Sequence, residues 1–105
     1  MQPVIDMPLA VCDAKSIEPS DFIATDLKYE DRTGEVYSVR HNPTHRWFYI
    51  SQMRRDEVLL LKCFDSSRDG RARYTAHTAF KDPGAPADAP SRQSIEVRTI
   101  ALFAS

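Results

Sequence analysis

The sequence predicts an antiparallel β architecture, and three observations carry that prediction. β-Branched and aromatic residues gather in short runs, turn formers separate the runs, and no stretch sustains a helical period. The 105 residues suit one small domain, with 42% hydrophobic residues to build a single core and 28% charged residues to cover it.

Residues 1–35 show weak periodicity and many Asp, Ser and Pro, so this stretch is expected to be irregular and to wrap over the rest. Within it, Ser20-Asp21 can open a short turn of helix, and Lys28 to Gly34 reads as a polar connection. Strand character begins at Glu35. Val36–Arg40 and Arg46–Ile50 flank Asn42-Pro43-Thr44, where Pro43 presets a turn, and a hairpin between the two runs is the natural expectation. Glu57–Phe64 is almost continuously apolar and is read as a buried strand, although periodicity alone does not separate it from a short helix.

Asp69-Gly70 marks a tight turn into Ala72–Phe80, the fourth strand candidate. Lys81–Ser91 contains Pro83, Pro86 and Pro90 and is a loop. Ser94–Phe103 is the strongest strand pattern and the fifth candidate. Alternation would put Ile95, Val97, Thr99, Ala101 and Phe103 on one face, and Arg92, Ser94, Glu96 and Arg98 on the other.

Composition narrows the function classes. A formal net charge of −1 supplies no field for DNA or RNA, so a nucleic-acid role is not expected. No apolar run reaches the ~18 residues of a transmembrane helix, and Met1 to Asp6 lacks the basic start and apolar stretch of a secretion signal. Cys12 and Cys63 match no metal or redox spacing; reduced, buried thiols in a cytoplasmic protein are expected.

Other residues have a sharper and a plainer reading. Lys62, among Leu59, Leu60, Leu61, Cys63 and Phe64, suits a desolvated amine, but pairing with Asp65 or Glu57 is the commoner outcome. Trp47, Phe48 and Tyr49 are expected in the core. His41 and His45 flank a proline turn, which argues against a shared metal and favours packing of His45 beside Trp47. Arg68, Arg71 and Arg73 surround the Asp69-Gly70 turn and read as a solvated basic cluster.

The chemically suggestive order is His77 followed by Arg92-Gln93-Ser94. An imidazole late in the chain can complete a two-histidine, one-carboxylate site on Fe(II), and an arginine with a nearby hydroxyl can grip a carboxylate. The surrounding residues sharpen this. Tyr74–Pro83 and Ala87–Arg98, with Met7–Asp13, His45–Tyr49 and Asp56–Ser66, resemble the C-terminal signature of a hydroxylase/desaturase family. That family includes the cephamycin-pathway protein CmcJ and the AsaB-type enzymes of fungal secondary metabolism.

The resemblance implies part of a double-stranded β-helix (a jelly-roll) of the Fe(II)/2-oxoglutarate oxygenase type, acting on a small-molecule substrate in secondary metabolism. By the same resemblance, His77 would be the distal iron-binding histidine. Arg92 and Ser94 would anchor 2-oxoglutarate, with Arg98 as a rival for that role.

The sequence departs from the family in one decisive respect. The residues two positions after His41, His45 and His77 are Pro43, Trp47 and Ala79, so the His-x-Asp that supplies the other two iron ligands is absent. The resemblance also covers only the last third of a family member. The expectation is a single incomplete domain, 1–105, whose residues 36–105 form the C-terminal half of a barrel, with no self-sufficient catalytic set and no cofactor binding by the isolated chain. An N-terminal complementing chain or an intact homologue would be its partner. The competing readings are a non-catalytic truncated remnant and a small carboxylate-binding β-domain.

Overall fold

The longest ladder forms where two seven-residue runs lie close in sequence. In the computed structural model, which describes residues 2–104, Phe22–Lys28 and Thr33–Val39 pair antiparallel from Phe22↔Val39 to Lys28↔Thr33. Tyr29 to Arg32 close the hairpin: the Tyr29 N–H donates to the Arg32 carbonyl at 2.7 Å, and the Arg32 guanidinium lies 4.5 Å from the Tyr29 ring centre.

Leu9–Cys12 is β1, and the hairpin strands are β2 and β3; Trp47–Tyr49 is β4 and His77–Ala79 is β5. β1 is the middle strand of a second antiparallel sheet, ordered β4-β1-β5. Its register is Ala10↔Tyr49, Val11↔Phe48 and Cys12↔Trp47 on one side, and Leu9↔Ala79, Ala10↔Thr78 and Val11↔His77 on the other. Backbone bonds continue beyond the ladder, from Asp13 N–H to the Arg46 carbonyl and from Phe80 N–H to the Pro8 carbonyl. Two short 3-10 turns, Ala14–Ser16 and Pro19–Asp21, link β1 to β2. The first is capped by Asp13, whose Oδ1 accepts from the Lys15 N–H.

The mainly β, antiparallel class is therefore what the chain adopts, but the strands are redistributed. The N-terminal stretch expected to be irregular supplies β1 and β2. The expected hairpin between Val36–Arg40 and Arg46–Ile50 does not form, because β3 pairs with β2 and β4 pairs with β1. Of Ala72–Phe80, only His77–Ala79 is strand. Glu57–Phe64 has no ladder partner; it is held to the following segment by Thr75 N–H donating to the Lys62 carbonyl and by Lys62 N–H donating to Thr75 Oγ1. Ser94–Phe103 has none either, and Ile95, Ile100, Leu102 and Phe103 are almost fully exposed. Strand propensity without a facing strand leaves backbone and side chains in water.

Burial is correspondingly thin. Ala10, Cys12 and Ala76 are buried, while Trp47, Phe48 and Tyr49, expected in the core, are substantially exposed. Cys63 is exposed, contrary to the expectation of two buried thiols. The chain exposes 9123 Å², whereas a folded monomer of its mass exposes roughly 6,000 Å². Its radius of gyration is 16.0 Å, against about 13 Å for a compact domain of this length. Among the described residues, no helix is long and apolar enough to cross a membrane.

Candidate functional site

His77 begins β5, the short edge strand beside β1. Its ring is oriented from below: Nδ1 lies 2.8 Å from the Thr75 carbonyl oxygen. A carbonyl only accepts, so Nδ1 carries the hydrogen, and a neutral ring then presents the Nε2 lone pair outward. This is how a protein prepares a histidine to ligate a metal through Nε2. His77 is exposed, and among the described residues Nε2 has no hydrogen-bond partner.

Arg92 lies beyond the proline-rich loop and is half-buried. With Gln2, Pro3, Val4, Pro90, Ser91 and Gln93 it lines an open cleft of about 250 Å³. Ser94 and Arg98 follow on the extended, exposed segment. Among the described residues neither Arg92 nor Arg98 belongs to an ion pair. The arginines are thus uncommitted, and with no ladder through 92–98 the predicted shared face of Arg92, Ser94, Glu96 and Arg98 is not imposed by a sheet.

These residues do not make an iron site by themselves. His77 is one donor, no carboxylate stands two positions after any histidine, and among the described residues no three His, Cys, Asp or Glu side chains cluster to hold a metal. No catalytic step through iron is therefore assigned to this chain alone.

Lys62 and His45 follow their plainer readings. Lys62 Nζ lies 2.6 Å from Asp65 Oδ2 and also donates to the Ala72 carbonyl. That ammonium, with the Ser67 N–H, pulls the Asp65 carboxyl down to about 2. Arg71 is taken by Asp69 at the turn, and Arg73 Nε donates to the Asp65 carbonyl while its guanidinium lies over Phe64 and Tyr74. His45 packs edge-on to Trp47 at 6.4 Å.

Sequence reasoning missed the second partner of His45. Its Nε2 lies 2.8 Å from Asp21 Oδ2, and both side chains are almost wholly buried, at 4% and 7% exposure. Asp21 also accepts from the Glu18 N–H and from Asn42 Nδ2. The His45 hydrogen bond first, then the Glu18 N–H, hold its carboxyl below the usual range. His45 uses Nε2 inward, so it is a structural clasp rather than a ligand. The only sequence signal was Asp21 at the end of a helical turn, which does not name a partner 24 positions away.

Comparison with known proteins gives the chain its family. Residues 1–102 match the family model described as an oxidoreductase/YMDC permease-like domain. The chain is 42% identical to the hydroxylase/desaturase efuI of Hormonema carpetanum, with 91% of this chain and 36% of that protein aligned. It is 41% identical to the Fe(II)/2-oxoglutarate-dependent dioxygenase nvfI of Aspergillus novofumigatus, over 95% of this chain and 36% of that protein. Against the hydroxylase/desaturase asaB of Aspergillus flavus it is 38% identical, over 98% of this chain and 52% of that protein. A solved structure of the iron and alpha-ketoglutarate-dependent endoperoxidase NvfI superimposes with a TM-score of 0.76 and 35% identity, covering 86% of this chain and 34% of that one. The chain thus spans about a third of the first two of these relatives and corresponds to their C-terminal part. Its strands are those of a jelly-roll oxygenase, of which it holds one portion. The chain belongs to the oxidoreductase/YMDC permease-like family, among relatives named hydroxylase/desaturase and Fe(II)/2-oxoglutarate-dependent dioxygenase.

Proposed function

We propose that this chain is the C-terminal portion of a Fe(II)/2-oxoglutarate-dependent hydroxylase or desaturase acting on a small molecule of secondary metabolism. His77 supplies one iron ligand through Nε2. Arg92, with Ser94, grips the far carboxylate of 2-oxoglutarate; Arg98 is the alternative anchor. When bound, iron with 2-oxoglutarate and O2 supplies the oxidising chemistry, and this chain's residues hold and orient the components.

The observation that carries the reading is the His77 ring, fixed by the Thr75 carbonyl with its other nitrogen free, in a chain 41% identical to a dioxygenase of that class. The uncommitted Arg92 guanidinium at an open cleft supports the anchor. The donor deficit and the excess of exposed surface both support action together with a second polypeptide segment. That excess, roughly 3,000 Å² over a compact monomer, is of the size buried at obligate interfaces. Two free thiols, Cys12 and Cys63, fit a reducing, cytoplasmic setting.

The test is a chimera in which residues 1–105 replace the C-terminal third of the Hormonema carpetanum relative. Anaerobic addition of Fe(II) and 2-oxoglutarate should give the visible charge-transfer absorption of the chelate. His77→Ala should abolish it. Arg92→Leu should raise the 2-oxoglutarate concentration needed for half-saturation at least tenfold; the same effect from Arg98→Leu instead would assign the anchor to Arg98. A correctly folded chimera whose absorption survives His77→Ala would refute the ligand assignment.

A further inference from the structure

The carbonyl that orients the His77 ring belongs to a peptide anchored on both sides. On its N-terminal side, the Thr75 N–H donates to the Lys62 carbonyl at 2.8 Å, and Thr75 Oγ1 accepts from the Lys62 N–H at 3.2 Å. On its C-terminal side, the carbonyl of the buried Ala76 accepts from the Cys12 N–H of β1 at 2.9 Å. Val11, which precedes Cys12, pairs with His77 itself. The backbone has only two soft dihedrals per residue, so fixing the groups before and after the Thr75 carbonyl fixes where its oxygen points. That oxygen lies 2.8 Å from His77 Nδ1.

The Lys62 end of this anchor is itself braced. Lys62 Nζ donates to the Asp65 carboxylate at 2.6 Å and to the Ala72 carbonyl at 3.1 Å, while Arg73 Nε donates to the Asp65 carbonyl at 2.8 Å. Residues 62–75 thus form a cross-linked loop whose ends meet at the paired Lys62–Thr75 hydrogen bonds. Of those two bonds, only the one to Oγ1 depends on the side chain at position 75.

The anchoring matters because His77 is exposed and water competes for both ring nitrogens. A neutral imidazole carries its hydrogen on either nitrogen, and only the Nδ1–H form leaves Nε2 with a lone pair for a metal. One backbone acceptor biases that choice by about three- to tenfold, and does so only while it stays aimed at Nδ1.

From this we infer that Thr75 is a positioning residue for His77: its hydroxyl, clamped to the Lys62 N–H, holds its own carbonyl on Nδ1 and so keeps Nε2 bare. The functional meaning rests on the proposed role of His77 as an iron ligand, but the tautomer bias does not. Thr75 acts through the imidazole alone, setting which nitrogen is offered and in which direction.

The test uses the full 105-residue chain, isotopically labelled in its histidine rings, at a pH where those rings are neutral. Proton–nitrogen correlation NMR should show His77 chiefly as the Nδ1–H tautomer. Thr75→Val should lower the ratio of Nδ1–H to Nε2–H by about three- to tenfold, and Thr75→Ser should restore it to within about twofold of wild type. Thr25→Val removes a hydroxyl from the other sheet, where it bonds Ser38, and should leave the His77 ratio unchanged. Should Thr75→Val not fold, Thr75→Ala also lacks the acceptor and should give the same shift. In the chimera with the Hormonema carpetanum relative, Thr75→Val should raise the Fe(II) concentration for half-maximal chelate absorption by about three- to tenfold. An unchanged His77 tautomer ratio in a folded Thr75→Val or Thr75→Ala chain overturns the inference, as does a shift that Thr75→Ser fails to reverse. Chelate absorption that survives His77→Ala refutes the ligand assignment instead, because the tautomer ratio is read without metal.

Discussion

Asp21 and His45 form a hydrogen-bonded pair that is almost sealed from water and joins segments 24 positions apart: Oδ2 of the first is 2.8 Å from Nε2 of the second. The pair ties the 3-10 turn preceding β2 to the loop entering β4, so it links the hairpin to the three-stranded sheet. The Arg40 N–H, donating to the Asp21 carbonyl at 2.7 Å, fastens the end of β3 to the same point.

Breaking one side of this clasp strands the other. Asp21→Ala leaves the His45 Nε2–H, the Glu18 N–H and the Asn42 amide without their acceptor, which is the costly way to lose a buried hydrogen bond. Thermal unfolding followed by circular dichroism should show a midpoint lower by about 5 °C or more. Asp21→Asn, which keeps an acceptor oxygen, should lose less.

Acid should weaken the chain through its paired aspartates. Asp65, held at about 2 by Lys62 and the Ser67 N–H, has a folded pKa below its ordinary 3.8. Its stabilisation is therefore complete above pH 4–5 and is lost as pH falls through about 2. Asp21 and Asp69 are shifted the same way, by His45 and by Arg71 respectively, and add to the same acid limb. Unfolding midpoints measured from pH 6 to pH 2 should fall, and the difference between wild type and Asp65→Asn should shrink toward zero at the acid end.

The two cysteines should react at different rates. Cys12 is 6% exposed in the central strand, with its Sγ 3.6 Å from Ser16 Oγ, whereas Cys63 is open to solvent. A thiol reagent under native conditions should modify one equivalent quickly, at Cys63, and the second only on unfolding. Mass spectrometry of the partly modified chain checks the assignment.

Substitution of Gly70 by Ala should destabilise the chain by about 1 kcal/mol, the cost of forcing a Cβ into the left-handed region. Gly70 has φ of 96° and no atom crowds the position, so the cost is one of backbone conformation rather than contact. Urea unfolding of Gly70→Ala beside wild type measures it.

Much of what is local was legible in the sequence. The Asp69-Gly70 turn and the strand character of Val36–Val39 and Trp47–Tyr49 follow from residue type, and so does a connection within Lys28–Gly34, although only Tyr29 to Arg32 form it and Lys28, Thr33 and Gly34 belong to the flanking strands. Pairing was not legible. Leu9–Cys12 is too short for a period to register, and β2 carries Thr25 and Asp26 in mid-strand, yet these two runs capture the partners that proximity had assigned to each other. Ser94–Phe103 had the best pattern and finds no ladder, because a strand needs a neighbour as well as a propensity. Of the candidate site, His77 and Arg92 stood out by motif; the orientation of the His77 ring by Thr75 and the burial of Asp21 against His45 are properties of folded backbone that residue order does not encode.

Placing β1, which is made before both of its neighbours, in the middle of the three-stranded sheet has a consequence for synthesis. One edge of β1 waits for Trp47–Tyr49 and the other for His77–Ala79. Each closure spans most of the intervening chain, and the entropy of such loops must be met before any ladder bond repays it. The β2–β3 hairpin can zip as soon as Val39 emerges, whereas the sheet that carries His77 assembles last. A pause or cleavage anywhere between Ile50 and Ala76 would therefore leave a folded hairpin attached to a β1 paired with β4 alone and open along its β5 edge.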